Sequence, residues 1–321
     1  MWFIFALAAT LGWGLADLFY KKSSDETDRY SHLKLAVWVG LVMGVCSIAL
    51  IPFSDTFVSG FSFAKLFENA LKYSPASLGY IISMVIGYAG LRYLELSVVS
   101  PVQNASGALS CIAMSLWFLA VGRIDSINEE FSILDMLGTL LIAVGVVALA
   151  IAEKKLSEEK TPENKKYRLG ALALIFPLLY CLFDTVGTAA DGIILDEETG
   201  IGLSEIDVLI VYGITFLLFG LCAYAFMLFK TKKAYNPFAL SELKTKAPAA
   251  LFEEAGQITY VFAMAQKPVL AAPMIASYCI VSVILSRVFL KEKLTKPQYL
   301  SVLTVILGIV LLGVSEGIAS I

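Results

Sequence analysis

Four carboxylates stand inside runs of apolar residues, where charge is costly: Asp17, Asp184 and the adjacent pair Glu253 and Glu254. A charged side chain at the centre of a bilayer costs about 2.5–3.5 kcal/mol or more, so each calls for a partner, a ligand or a proton. At helical spacing Asp17 shares a face with Trp13 and Tyr20, and Asp184 with Tyr180, Thr188 and Asp191. Gln257 falls one turn from either glutamate, and Tyr260 continues the Glu253 face. Gln103 and Asn104, with Ser106 and Ser110 on the Gln103 face, add amides and hydroxyls to another apolar run, and Tyr88, Tyr278 and Ser282 do so elsewhere. As a set converging on one cavity, these groups suit a small polar solute. The acidic excess favours an amine-bearing solute, proton exchange on a desolvated carboxylate, or both.

Each residue also has a plainer role. Asp17 pairs with Lys21 at i+4 if both lie at a helix end. Asp191 marks the outer end of its run, and Glu253 and Glu254 lie at an interface if their helix begins later. Single polar residues in membrane helices commonly serve as hydrogen bonds between helices. Arg287 reads as an interface anchor, Gly40 and Gly44 as close helix packing, and Pro177, placed mid-run, as a hinge. The five cysteines all sit in apolar runs and read as small hydrophobes. The single histidine, His32, cannot build a metal site alone. No HExxH, phosphate-binding loop, nucleophile elbow or dinucleotide fingerprint is present. No cofactor, no metal and no enzymatic activity are therefore expected. A net charge of −3 without a basic tract speaks against nucleic acid.

The elements that would position these groups are membrane helices. The 321 residues are 58% hydrophobic and 16% charged, against roughly 25% charged in soluble domains. Ten apolar runs cover about 2–20, 33–51, 75–94, 98–121, 133–152, 168–190, 206–229, 247–266, 269–290 and 297–315. Most approach the roughly 20 residues that cross a hydrocarbon core of about 30 Å. The first lacks the positive leading segment of a signal peptide and is expected to be a span. Residues 63–73, with Phe63, Leu66, Phe67, Ala70 and Leu71 on one face, are expected to lie in the interface. When the runs alternate direction, only Lys65, Lys72, Arg123 and Lys267 fall on one side, and the other 20 of the 24 basic residues fall on the opposite side. The positive-inside rule then places the basic connections in the cytoplasm and both termini outside a plasma membrane crossed many times.

The halves match in places. Leu7, Trp13 and Asp17 align with Leu174, Tyr180 and Asp184 at one offset; Tyr88 and Pro101 align with Tyr260 and Pro273, and Gly145 with Gly308. Five runs per half is an odd number, so the second copy crosses the membrane the opposite way. The expected fold is an all-α membrane protein of ten transmembrane helices in two inverted five-helix repeats, with a solute site near the midplane. Residues 1–153 form the first repeat, 154–167 a charged cytoplasmic linker, and 168–321 the second.

These paired fives resemble the EamA-type branch of the drug/metabolite transporter superfamily. The resemblance runs along essentially the whole chain. It is carried by ALAATLGWGLADLFYKK, GYAGLRYLELSVVSPV and, above all, SYCIVSVILSRVFLKEKLTKPQYLSVLTVILGIVLLG. Leu290, Glu292 and Thr295 keep the family pattern at the end of the ninth helix, while Lys291 stands where a small residue is usual. The first repeat has diverged there to AVGRIDSINEEFS. The resemblance implies both termini in the cytoplasm, against the charge count. With the inverted repeats, the expectation is a secondary transporter working by alternating access, importing, exporting or exchanging a small polar metabolite, which the acidic excess makes an amino acid, amine or organic cation. Its partners would be that solute, protons and the lipid bilayer, with the chain a monomer or homodimer. The open alternatives are a lipid-head-group flippase and, less in keeping with these residues, an intramembrane enzyme using Glu253 and Glu254 as an acid–base pair.

Overall fold

The protein is described by a computed structural model covering residues 1–319 apart from 26, 59, 95, 127–130, 160–172, 174, 233 and 292–294. Residues 160–167 of the expected linker, 127–130 of the diverged loop and the 292–294 hairpin lie outside the described residues. The elements are helical, with no strand among the described residues: α1 (Trp2–Ser23), α2 (Ser31–Leu50), α3 (Phe63–Gly90), α4 (Leu96–Gln103), α5 (Ser106–Ala120), α6 (Ile133–Glu159), α7 (Ile175–Leu195), α8 (Glu205–Thr231), α9 (Leu240–Gln266), α10 (Pro268–Ala276), α11 (Tyr278–Leu285) and α12 (Lys296–Ala319).

Among the described residues, seven stretches are long and apolar enough to cross a membrane: α1, α2 with the turn after it, α4–α5, α7, α8, α10–α11 with the π turn after it, and α12. The chain is an all-α membrane protein. The other long helices fall short for local reasons. In α6 the described apolar stretch is Ile133–Leu149, which the sequence continues to Ala152, α3 opens with Lys65, Glu68, Asn69 and Lys72, and α9 carries Glu242, Lys244, Lys246, Glu253 and Glu254. Leucines and valines turned outward, such as Leu300, Leu303, Leu307 and Val310 along α12, form the lipid-facing surface.

One local expectation needs correction. The segment 63–73 is not separate but the first part of α3, which continues through Pro75. Proline leaves the carbonyl four residues back without its N–H donor; here the Ser74 hydroxyl donates to Leu71 O at 2.8 Å and fills the gap. The described part of the sixth run is helical from Ile175 to Leu195 and includes Pro177; most of the residues before it lie outside the described residues. Another feature explains a departure already noted. Lys291 caps the end of the π turn Ser286–Leu290 with φ at 58°, a left-handed conformation in which glycine is favoured. That is the position where the resembling family usually has a small residue.

The helices pack in pairs drawn from opposite halves of the chain: α1 with α9, α2 with α8, α3 with α7, α5 with α10, and α6 with α12. Hydrophobic burial does little to join helices in lipid, so close backbone contact between small residues supplies the attraction. Four of the pairs cross glycine on glycine: Gly12 with Gly256, Gly40 with Gly220, Gly79 with Gly187, and Gly138 with Gly308. In the fifth, Gly107 meets Ala272, Pro273 and Ala276.

Candidate functional site

Two of the rods are interrupted. The helix from Leu96 breaks between Gln103 and Ser106, and the one from Pro268 breaks at Ser277. Each break follows shortly after one of the aligned prolines, Pro101 and Pro273. Asn104 helps to close the first by donating its side-chain amide to Ser100 O at 2.8 Å. The Ser277 hydroxyl donates to Met274 O at the second. Both breaks border a central cavity that α1, α3, α7, α8 and α9 complete. Its volume is about 70 Å³, room for a few waters. A metabolite would have to open it.

Three carboxylates face this space: Asp17 from α1, Asp184 from α7 and Glu253 from α9, with no Lys, Arg or His among the described lining residues. Each accepts hydroxyl hydrogen bonds. Asp17 Oδ2 receives Ser100 at 2.7 Å and Ser282 at 2.6 Å. Asp184 Oδ2 receives Ser106 at 2.6 Å. Glu253 Oε2 receives Tyr20 at 2.9 Å, and Tyr88 donates in turn to Tyr20 at 3.1 Å. The cavity walls are aromatic: Trp13 and seven tyrosines, 20, 80, 88, 180, 212, 260 and 278. Trp13 lies 5.0 Å from the Tyr260 ring and 5.7 Å from the Tyr278 ring, and its indole N–H donates to Glu253 O. Electron-rich ring faces beside carboxylates attract a cation and resist an anion. The amide nitrogens of Gln103 and Gln257 also border the cavity and have no hydrogen-bond partner in the fold.

Residues 199–314 match the EamA-like transporter family. The match takes in α8–α12, and with them Glu253, Gln257, Tyr260 and Tyr278, so the resemblance drawn from the motifs holds over these residues. Members of this family are membrane transporters of the drug/metabolite transporter superfamily. No curated protein matches the chain. A solved crystal structure 12% identical in sequence superposes over 97% of this chain and 95% of its own with a TM-score of 0.59, which is a likeness of fold alone.

Among the residues singled out from the sequence, Trp13, Asp17, Tyr88, Gln103, Asn104, Tyr180, Asp184, Glu253, Gln257, Tyr260 and Tyr278 line the one cavity. Glu254 does not. One residue further round α9, it lies against Cys46 of α2. Gln257, one turn from either glutamate, leaves its amide nitrogen without a hydrogen-bond partner among the described residues. Asp17 does not pair with Lys21, whose ammonium instead donates to Leu91 O and Leu94 O at 2.7 Å each. Asp191 is not an exposed helix-end marker but wholly buried. Arg287 is exposed, as an interface anchor would be. Tyr80 and Tyr212 escaped the sequence analysis. Tyr80 stands two turns before Tyr88 on the same helix, a spacing that could have revealed it; Tyr212 sits alone in a long apolar run and gave no signal.

Proposed function

We propose that the chain is a gradient-driven secondary transporter that moves a small amine-bearing metabolite or organic cation by alternating access. One observation carries this: three carboxylates and an aromatic wall enclose a single cavity that no basic side chain among the described lining residues neutralises. Asp17, Asp184 and Glu253 would share the solute's ammonium group and the coupling proton, and the tyrosines and Trp13 would pack its apolar part. Gln103, Asn104 and Gln257 would hold its polar groups. No chemical conversion of the solute is involved.

Ten spans in two inverted repeats suit this mechanism. The pairing pattern supports them, because exchanging the halves turns the α1–α9 contact into the α7–α3 contact and returns the α2–α8 and α6–α12 contacts to themselves. So do the carboxylate partners: Asp17 is held from the interrupted helix of the second half through Ser282, and Asp184 from that of the first half through Ser106. Polar contacts brace the protein at both ends of this cavity. Lys21 ties α1 to the carbonyls after α3 at the end bearing the inter-repeat linker. At the end bearing the termini, Arg123 pairs with Asp196 at 3.0 Å.

Counterflow in proteoliposomes preloaded with candidate amines tests the function. An amine exchanged in unchanged chemical form is the expected result. Chemical conversion of the amine, or lipid-head-group translocation without solute movement, would overturn it. The proposed orientation, with both termini outside the plasma membrane, follows from the distribution of basic residues and has its own test. An impermeant thiol reagent applied to intact cells should label Glu197→Cys above the background of the unaltered chain and leave Lys244→Cys unlabelled; the reverse pattern would invert the topology.

A further inference from the structure

Asp191 on α7 lies outside the three carboxylates of the cavity. It has no exposed surface, and neither carboxylate oxygen makes a hydrogen bond. The ionisable groups facing it are phenols: Tyr73 and Tyr80 from α3, Tyr260 from α9 and, further off, Tyr212 from α8. None of them reaches hydrogen-bond geometry with it. Counting donors limits what these groups could supply. Tyr80 donates to Thr188 at 3.3 Å and shares a 2.6 Å hydrogen bond with Tyr260, in which either hydroxyl can be the donor. Each phenol has a single O–H, so between them they have at most one to spare. The Tyr73 hydroxyl has no hydrogen-bond partner among the described residues. An ionised carboxylate offers about four lone-pair sites and would here be left with at most two donors and no exposed surface. A carboxylic acid removes the charge and brings a donor of its own, which the Tyr73 or Tyr260 oxygen can accept.

We propose that Asp191, enclosed by Tyr73, Tyr80 and Tyr260, is a proton-binding site distinct from the solute-facing carboxylates. Its place in the fold gives the proton a use. Asp191 follows Thr188 by one turn on α7, and Thr188, Tyr80 and Tyr260 all line the central cavity. The acid thus sits directly behind the cavity wall, on the side toward the chain termini. The glycine crossing of Gly79 and Gly187 joins α3 to α7 beside it. When those helices part, water reaches Asp191, supplies donors to its oxygens and allows the proton to leave. When they close, the dry site requires the proton's return. This coupling role rests on the transporter reading; the proton site itself does not.

Infrared difference spectra of the purified full-length chain in nanodiscs test the site without any solute. Near neutral pH the wild type should show a protonated-carboxyl carbonyl band that Asp191→Asn lacks. Tyr73→Phe or Tyr260→Phe should displace the same band, because these phenol oxygens are the acceptors open to the acid's proton. An Asp191→Asn protein, monodisperse in size exclusion, whose carbonyl bands match those of the wild type would overturn the proposal. Should that variant fail to fold, a band unmoved in both Tyr73→Phe and Tyr260→Phe would overturn it equally. Sodium chloride that erased the Asp191 band at constant pH would replace the proton with sodium and also refute it. The spectra are read in the absence of transport, so failure of counterflow with a positive spectrum would reject the transporter and leave the proton site standing.

Discussion

Glu253→Gln is expected to abolish gradient-driven solute movement while leaving a folded protein. The substitution preserves shape and keeps an acceptor for Tyr20, whose hydroxyl donates to Glu253 Oε2. What it removes is an ionisable carboxyl on the cavity wall, a group able to hold an ammonium ion or a coupling proton. A hydrogen bond to a charged partner contributes about 1.5–3 kcal/mol, which corresponds to a loss of roughly 10- to 150-fold in solute affinity. Tyr20→Phe removes only the donor behind the carboxylate and should cost about 1 kcal/mol, a several-fold loss. Glu254→Gln should leave transport nearly unchanged, because Glu254 faces Cys46 rather than the cavity. Binding of an exchanged amine, followed by counterflow across a series of pH values, measures all three. If Glu253→Gln transports like the wild type with the same pH dependence, the site shifts to Asp184.

The contrast between the two adjacent glutamates shows how far sequence alone could go. Neighbouring residues on a helix point about 100° apart, so the sequence requires that at most one aims into a cavity. It does not say which, because that depends on how α9 is rotated against α1, and the Gly12–Gly256 crossing decides it. Most other site residues were legible for a physical reason: a polar side chain in an apolar run has nowhere favourable to go except inward. Asp17, Asp184, Gln103 and Gln257 all obey this. Tyrosine is weaker as a signal, since it is at home at interfaces, in cores and in cavities alike, and Tyr212 was lost for that reason. Asp191 failed differently. Its position near the end of α7 reads as solvated, but α3 and α9 pack across that end and bury it completely. Helix ends are defined by sequence, whereas their exposure is set by neighbours distant in the chain. The interrupted helices were half visible: the aligned prolines marked the place, but proline alone does not break a helix, as Pro75 within α3 shows.

Gly40→Ala is expected to destabilise the protein, although alanine is the better helix former. In a helix interior the exchange from glycine to alanine is worth about 0.5–1 kcal/mol in favour of alanine. At Gly40 the new methyl would stand 2.3 Å from the backbone oxygen of Phe216, with Gly220 Cα at 3.2 Å. Neither atom belongs to a flexible side chain, so the only relief is to move α2 and α8 apart. That separation would weaken the contact along a pair that spans the two halves, including the Ser47 hydroxyl donating to Leu209 O at 3.0 Å. Overpacking of this kind typically costs about 1–3 kcal/mol, more than the gain in propensity, and the net sign is therefore negative. Gly317→Ala provides the comparison, since nothing lies within 4 Å of a methyl placed there. That variant should match or slightly exceed the wild type in thermal unfolding, while Gly40→Ala should unfold several degrees lower in the same detergent. Equal midpoints for the two variants would mean that α2 and α8 do not meet at Gly40, and the cross-half pairing that shapes the cavity would have to be redrawn.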